Sequence, residues 1–211
     1  MTTASARSAR SARPLRLALA GLLAGLVVAA SPLTASAATR TVRMGFNDFN
    51  RAAVTIARGD KVKWVNPDSG FLEHDVKSTA PAKYFSSGAR GGMAPGERFA
   101  FTFRSAGRFA YHCSIHSGMI GAVTVPISVS RLYGPARFRV TVASAASSGS
   151  WRHQVQAQKP GSSAWVTVAT TSSTSVTYTP SERGTHDFRA RVTNTTTGAD
   201  SGWSPVVSRT Y

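Results

Sequence analysis

The segment Tyr111-His112-Cys113-Ser114-Ile115-His116-Ser117-Gly118-Met119-Ile120-Gly121-Ala122-Val123-Thr124-Val125 sets Cys113, His116 and Met119 three residues apart. Thiolate sulfur, imidazole nitrogen and thioether sulfur are soft or borderline donors. The set suits copper moving between its two oxidation states, whereas zinc rarely takes a thioether. A second imidazole would complete a trigonal His-His-Cys plane with a distant Met on its axis, and His74, in Glu73-His74-Asp75-Val76, is placed to supply it. Strand parity agrees: Phe109, Tyr111 and Cys113 fall on one face, and His74 shares a face with Val76, so both ligands can point inward at one end of a sandwich. Each residue alone has a plainer reading, a lone Cys as a small buried hydrophobe and a Met as core filler. An enzyme reading makes Cys113 a nucleophile with His116 as its base, but no further acid–base partner is evident. The joint spacing together with His74 favours a metal.

The elements that must hold these donors read as strands. After residue 38 no stretch keeps a helical period, and short segments rich in Val, Phe, Thr and Tyr recur between Gly, Pro, Asn and Ser clusters. Strands are expected at Thr41–Asn47, Ala53–Ala57, Lys61–Val65, Asp75–Lys77, Arg98–Phe103, Arg108–His112 and Gly121–Val125. Turn signals at Arg58-Gly59-Asp60, Asn66-Pro67-Asp68, Ala94-Pro95-Gly96 and Ala106-Gly107 separate them. So many short strands in so short a span make a two-sheet sandwich the economical arrangement. A second sandwich is expected from Phe138–Val142, Trp151–Gln158, Trp165–Ala169, Ser175–Tyr178, Thr185–Asn194 and Ser204–Ser208. In it Trp151, His153, Val155 and Ala157 alternate with Arg152, Gln154, Gln156 and Gln158, one dry face and one wet. Residues 127–135 either link the two units or supply the first strand of the second, which spans 136–211. The expected class is therefore all-β throughout.

The amino terminus follows another logic. Arg7, Arg10, Arg13 and Arg16 lead into an apolar run from Leu17 to Ala30, which ends at Ala35-Ser36-Ala37. Those are the three parts of a cleaved secretory signal peptide, residues 1–37. The run is shorter than the ~20 apolar residues of a spanning helix, so no integral span is expected once the leader is gone. Export is to the periplasm or the extracellular space, and no Cys stands at the cleavage site to take a lipid. The chain of 211 residues carries a formal +16; taking the four leader arginines from its 25 basic residues leaves 21 against nine acids, a formal +12. The basic residues are spread, 12 against six acids over 38–130 and nine against three over 131–211. Without a basic run the balance points to an acidic redox partner or surface, not to nucleic acid. A single unpaired Cys in an exported chain must be protected, metal-bound or reactive.

Residues 40–126 resemble the cupredoxins, the type 1 blue copper proteins. The likeness rests on Gly59-Asp60-Lys61-Val62, Trp64-Val65-Asn66, His74, Met93-Ala94-Pro95-Gly96 with Phe99 to Phe103, and Tyr111 through Val125. The domain is plastocyanin-like, and its short Cys-x-x-His-x-x-Met loop resembles that of amicyanin. The resemblance implies a Greek-key β-sandwich over 38–126 and one copper per chain. His74, Cys113 and His116 would be its equatorial ligands and Met119 the weak axial one. It further implies single-electron transfer without catalysis, an electron port at the exposed edge of His116 lined by Met93, Pro95, Ile115 and Ile120, and a ligand-orienting role for Asn66. A His directly before the copper Cys, here His112, resembles copper oxidases and nitrite reductases, where it binds a second metal. Strand alternation turns His112 away from Cys113, compatible with a second metal or with plain exposure. Residues 134–211 resemble a fibronectin type III or immunoglobulin-like module through Trp151, Trp165-Val166-Thr167-Val168, Tyr178-Thr179-Pro180, Gly184 to Arg191 and Trp203-Ser204-Pro205. Such a module implies spacing, or contact with a cell surface or another protein. His153 and His186, on the faces of Trp151 and Phe188, are expected in partly buried structural roles. The competing functions are copper sequestration or delivery without redox turnover, and a subunit of a copper oxidase or nitrite reductase.

Overall fold

A computed structural model describes residues 1–3, 36–67, 72–88 and 92–211. The expected leader falls almost wholly outside the described residues. Among those described there is no helix, and none is long and apolar enough to cross a membrane. The strands are β1 (Thr39–Arg43), β2 (Ala53–Thr55), β3 (Lys61–Val65), β4 (Lys77–Ala80), β5 (Ala82–Ser86), β6 (Arg98–Thr102), β7 (Gly107–His112) and β8 (Ile120–Val125). They continue with β9 (Ser128–Arg131), β10 (Phe138–Thr141), β11 (Trp151–Gln158), β12 (Trp165–Thr171), β13 (Ser175–Tyr178), β14 (Thr185–Asn194) and β15 (Val207–Thr210).

The first eight strands make two sheets, ordered β1-β3-β6 and β2-β8-β7-β4-β5. β1 runs parallel to β3 and β2 parallel to β8, so the chain after β1 and the chain after β3 leave the first sheet at the same end. Alternation decides which side chains face the core. Val42 on β1, Val62 and Trp64 on β3, and Phe109 and Tyr111 on β7 are buried, while Arg43 and Arg108 between or beside them are exposed. Trp64 is the hub: it stacks on Phe85 and Phe99, each at 5.6 Å, and meets the ring of Tyr111 at 5.3 Å edge to face. Burial of each such ring contributes about 1.5–3 kcal/mol, so this sheet pair has an ample core.

The remaining strands make sheets ordered β13-β10-β9 and β12-β11-β14-β15 around a second buried cluster that includes Phe138, Val140, Val155 and Phe188. Residues 127–135 thus contribute a strand, β9, which pairs antiparallel with β10. Other limits differ from expectation for local reasons. Thr41–Asn47 stops at Arg43, because the chain turns where the Gly45 amide donates to the Asp48 carbonyl. Asp75–Lys77 becomes Lys77–Ala80, followed by a strand hidden in the sequence behind Pro81. Ser204–Ser208 begins at Val207, past Pro205, which has no amide to donate to a ladder.

Residues 104–108 are sewn to the second set of strands by main-chain bonds. The Arg108 amide donates to the Gly202 carbonyl at 2.8 Å, and the Gly202 amide returns to the Arg108 carbonyl at 2.9 Å. The Ala106 and Ser144 amides donate to Val142 and Arg104. Gly107, with φ +152°, lies so close to Ser201 that a Cβ would stand 2.6 Å from its Oγ; only glycine fits. Buried His153 completes the seam. Its Nδ1 lies 3.0 Å from the Ser173 carbonyl, which can only accept, so Nδ1 carries the proton and Nε2 accepts from Ser105 Oγ at 2.9 Å.

Candidate metal centre

Four structural devices bring the sequence-predicted donors together. Cys113 continues the inward parity of Phe109 and Tyr111 one step past β7 and is buried. His74 precedes β4 and exchanges main-chain bonds with Met93. The buried Asn66, one residue beyond β3, donates through Nδ2 to the carbonyls of Leu72 at 2.8 Å and Met93 at 2.7 Å. It thereby clamps both chain segments that frame His74. The loop from Cys113 to Met119 is closed by its own backbone: the Cys113 amide donates to the Met119 carbonyl at 2.9 Å, and the Met119 amide reaches the His116 carbonyl at 3.4 Å.

One ligand atom each from His74, Cys113 and His116 lies within 4.8 Å of the other two. Cys113 Sγ is 3.6 Å from His116 Nδ1, and the two imidazole rings have centroids 4.7 Å apart, tilted by 44°. His74 Nδ1 is buried and has no hydrogen-bond partner. A buried ring nitrogen aimed at a thiol and a second imidazole, with nothing to bond to, is what a ligand waiting for a cation looks like. Burial lowers the His74 pKa, the charge of His116 lowers it further, and Asp75 only partly opposes, so the ring is held neutral with a lone pair to give. Met119 is buried in the same apolar cluster as Cys113. The donor set of two imidazoles, one thiol and a neighbouring thioether fits copper.

Asp75 was not singled out by the sequence, and it organises the site. Its amide donates to Cys113 Sγ at 3.4 Å. Its buried carboxylate accepts from the amide and the hydroxyl of Ser114, and Lys77 Nζ lies 3.0 Å away. Burial pushes the carboxyl pKa up, but the Ser114 and Lys77 contacts outweigh it and hold the group below its ordinary value. The only signal in the sequence was an acid directly after His74 and two residues before a lysine.

At the surface His116 is half-buried and flanked by exposed Ile115 and Ile120, with Pro95 also exposed. Met93, expected to line this patch, is instead buried, because its pairing with His74 turns it toward the core. Phe46, 79% exposed, belongs to the same end through the parallel course of β1 and β3. His112 is half-buried and turned from Cys113. Among the described residues it joins no second cluster of three metal-binding side chains. His153 and His186 are fully buried, and His186 lies within hydrogen-bond reach of Tyr178 and the Glu182 carbonyl.

Residues 37–126 match the family described as "Copper binding proteins, plastocyanin/azurin family". The chloroplastic plastocyanin of Tetradesmus obliquus is 34% identical over 113 residues, covering 48% of this chain and 77% of the relative. The plastocyanin of Prochlorothrix hollandica is 32% identical over 121 residues, 52% of this chain and 88% of its own length. That of Scenedesmus fuscus is 36% identical over 97 residues, 40% of this chain and 97% of its own. Among solved structures, a reduced amicyanin variant aligns at 25% identity over 41% of this chain and 81% of that one, with a TM-score of 0.36.

Proposed function

Since this chain belongs to the plastocyanin/azurin family of copper-binding proteins, we propose that it is an exported single-electron carrier whose one copper is held by His74, Cys113, His116 and, weakly, Met119. Copper held by these donors alternates between two oxidation states and so stores one electron. The observation that carries the reading is the convergence of the Cys113 sulfur with two imidazoles, one bearing an orphaned buried nitrogen.

The chain's own residues do the rest. Rigid strands and the backbone-closed loop fix three donors against rearrangement, and Asn66 and Asp75 brace His74 and Cys113 from behind. The amide of Asp75, aimed at Sγ, stabilises negative charge on that sulfur and so bears on the reduction potential. The half-exposed edge of His116 among Ile115, Ile120 and Pro95 is the port, a dry surface against which a partner can press. Residues 38–126 act as the copper domain, and 136–211 as an immunoglobulin-like module that spaces it or docks it to a cell surface or another protein. Residues 1–37 are the leader that takes it to the periplasm or beyond.

Copper loading of the purified protein, read by visible spectroscopy, tests this. An intense blue or green sulfur-to-copper band that Cys113→Ser abolishes is expected. A colourless copper(I) complex that resists oxidation would replace the carrier reading with sequestration or delivery.

A further inference from the structure

The outward face of the β1-β3-β6 sheet gathers four basic side chains around a concave surface. Arg43, Arg51, Lys63 and Arg98, with Asn50 and Pro67, line a hollow of about 670 Å³ that no carboxylate among the described residues lines. Register explains the cluster. Arg43 pairs with Val65, and Val65 with Arg98, so the two guanidinium groups flank one residue on neighbouring strands, about 10 Å apart at the backbone. Lys63 lies two residues before Val65 on the same face, about 7 Å along the strand. Arg51 is brought in by its neighbour Asn50, whose Oδ1 accepts from the Arg43 amide at 2.8 Å and whose own amide returns to the Arg43 carbonyl. None of these four cations has a carboxylate partner among the described residues.

The position of the hollow gives it meaning. Arg43 and Val65 are the last residues of parallel strands, at the end where Asn66 clamps His74 and where Phe46 is exposed. A partner touching the apolar port around His116 therefore meets the basic hollow on one flank. Clustered like charges beside a dry contact surface orient an approaching body of opposite sign.

We propose that the hollow of Arg43, Arg51, Lys63 and Arg98 is the docking flank for a carboxylate-rich face of the redox partner, which it steers onto the copper end. This rests on the carrier reading and adds the chemistry of the partner. Attraction of this kind fades as salt screens charges beyond about 10 Å.

The test uses the copper-loaded protein and the triple variant Arg43→Gln/Lys63→Gln/Arg98→Gln, all exposed or half-exposed positions outside the copper ligands. Two probes of equal charge are titrated at low salt and followed by backbone amide shifts: a twelve-residue oligoglutamate and an oligophosphate. Oligoglutamate should shift amides near Arg43, Lys63 and Arg98, with affinity falling about tenfold or more in the variant and with added salt. Electron exchange with an acidic c-type cytochrome, one electron passing between copper and haem iron, should slow by a similar factor. Unchanged rates and affinities in a variant that keeps its blue band would overturn the docking proposal and leave the carrier reading intact. Binding of oligophosphate without oligoglutamate would also overturn it, assigning the hollow to a phosphate polymer. A protein that lacks the band but still binds oligoglutamate in the hollow sinks the carrier reading alone.

Discussion

Replacing Asn66 by Ala isolates the brace behind His74. The side chain is buried and spends its two amide hydrogens on two carbonyls, those of Leu72 and Met93. Met93 keeps a donor after the change, because its carbonyl also receives the His74 amide at 3.2 Å. Leu72 loses the side-chain donor that held its carbonyl. The Leu72 carbonyl is only part-buried, so losing its donor costs about 1–1.5 kcal/mol, the low end for an unmade bond, and the lost redundant bond about 0.5–1.5 kcal/mol; the substitution should destabilise the copper-free protein by roughly 1.5–3 kcal/mol. For a folded region of this size that is a fall in Tm of roughly 3–12 °C. Calorimetry on copper-free protein is the right measurement, since bound metal would mask the loss by mass action. The main-chain bonds of Asn66 to Glu97 and Gly96 survive the substitution, so the effect belongs to the side chain. A Tm within 2 °C of the parent would refute the reasoning. Loaded with copper, the variant should also show a displaced sulfur-to-copper band or potential, because one of the two segments framing His74 has been released.

Gly121→Ala would put a Cβ 2.6 Å from the hydroxyl oxygen of buried Tyr111, whose ring is wedged against Trp64 and Phe49; a loss of about 1–3 kcal/mol in urea unfolding is expected, and full stability would mean the ring has room to move. His153 gives a pH dependence. Burial lowers its folded pKa below 6.5, so the unfolded chain takes up a proton first. Stability from this group is whole above pH 6.5 and declines as pH falls from there toward the folded pKa; His153→Gln should flatten that slope, and an unchanged slope would remove His153 as its source. Arg189 lies over Trp165 at 4.1 Å and Trp203 at 4.3 Å and donates twice to Gln156 Oε1. Arg189→Lys forfeits the planar fork and most of the stacking, about 1–2 kcal/mol by denaturant titration, while Arg189→Ala should cost at least as much; a smaller loss in the alanine variant would contradict the stacking account.

The parts of the site that a sequence shows well are those set by spacing and parity. The three-residue steps from Cys113 to Met119 and the alternation that buries Phe109, Tyr111 and Cys113 need only local chain geometry. Lys61–Val65, Trp151–Gln158, Ser175–Tyr178 and Thr185–Asn194 were legible to the residue, because an inward–outward alternation runs through most of each segment. What stayed hidden depends on pairing across the chain. Asp75 braces Ser114 from 39 positions away, Met93 turns inward because it pairs with His74, and β5 follows a proline that reads as a break. The basic hollow was invisible for the same reason: its cations look scattered along the chain until the register of three strands lines them up.

The stitched segment 104–108 fixes more than a join. β7 begins at Gly107 and runs six residues before reaching Cys113, a standoff of about 20 Å. Whatever grips the carboxy-terminal half therefore holds it at the far end of a stiff post, with the electron-exchanging tip facing away from the anchorage. Two-way backbone pairing resists swivelling, so an immobilised molecule would offer its tip in one orientation and not sweep a cone as a bead on a string would.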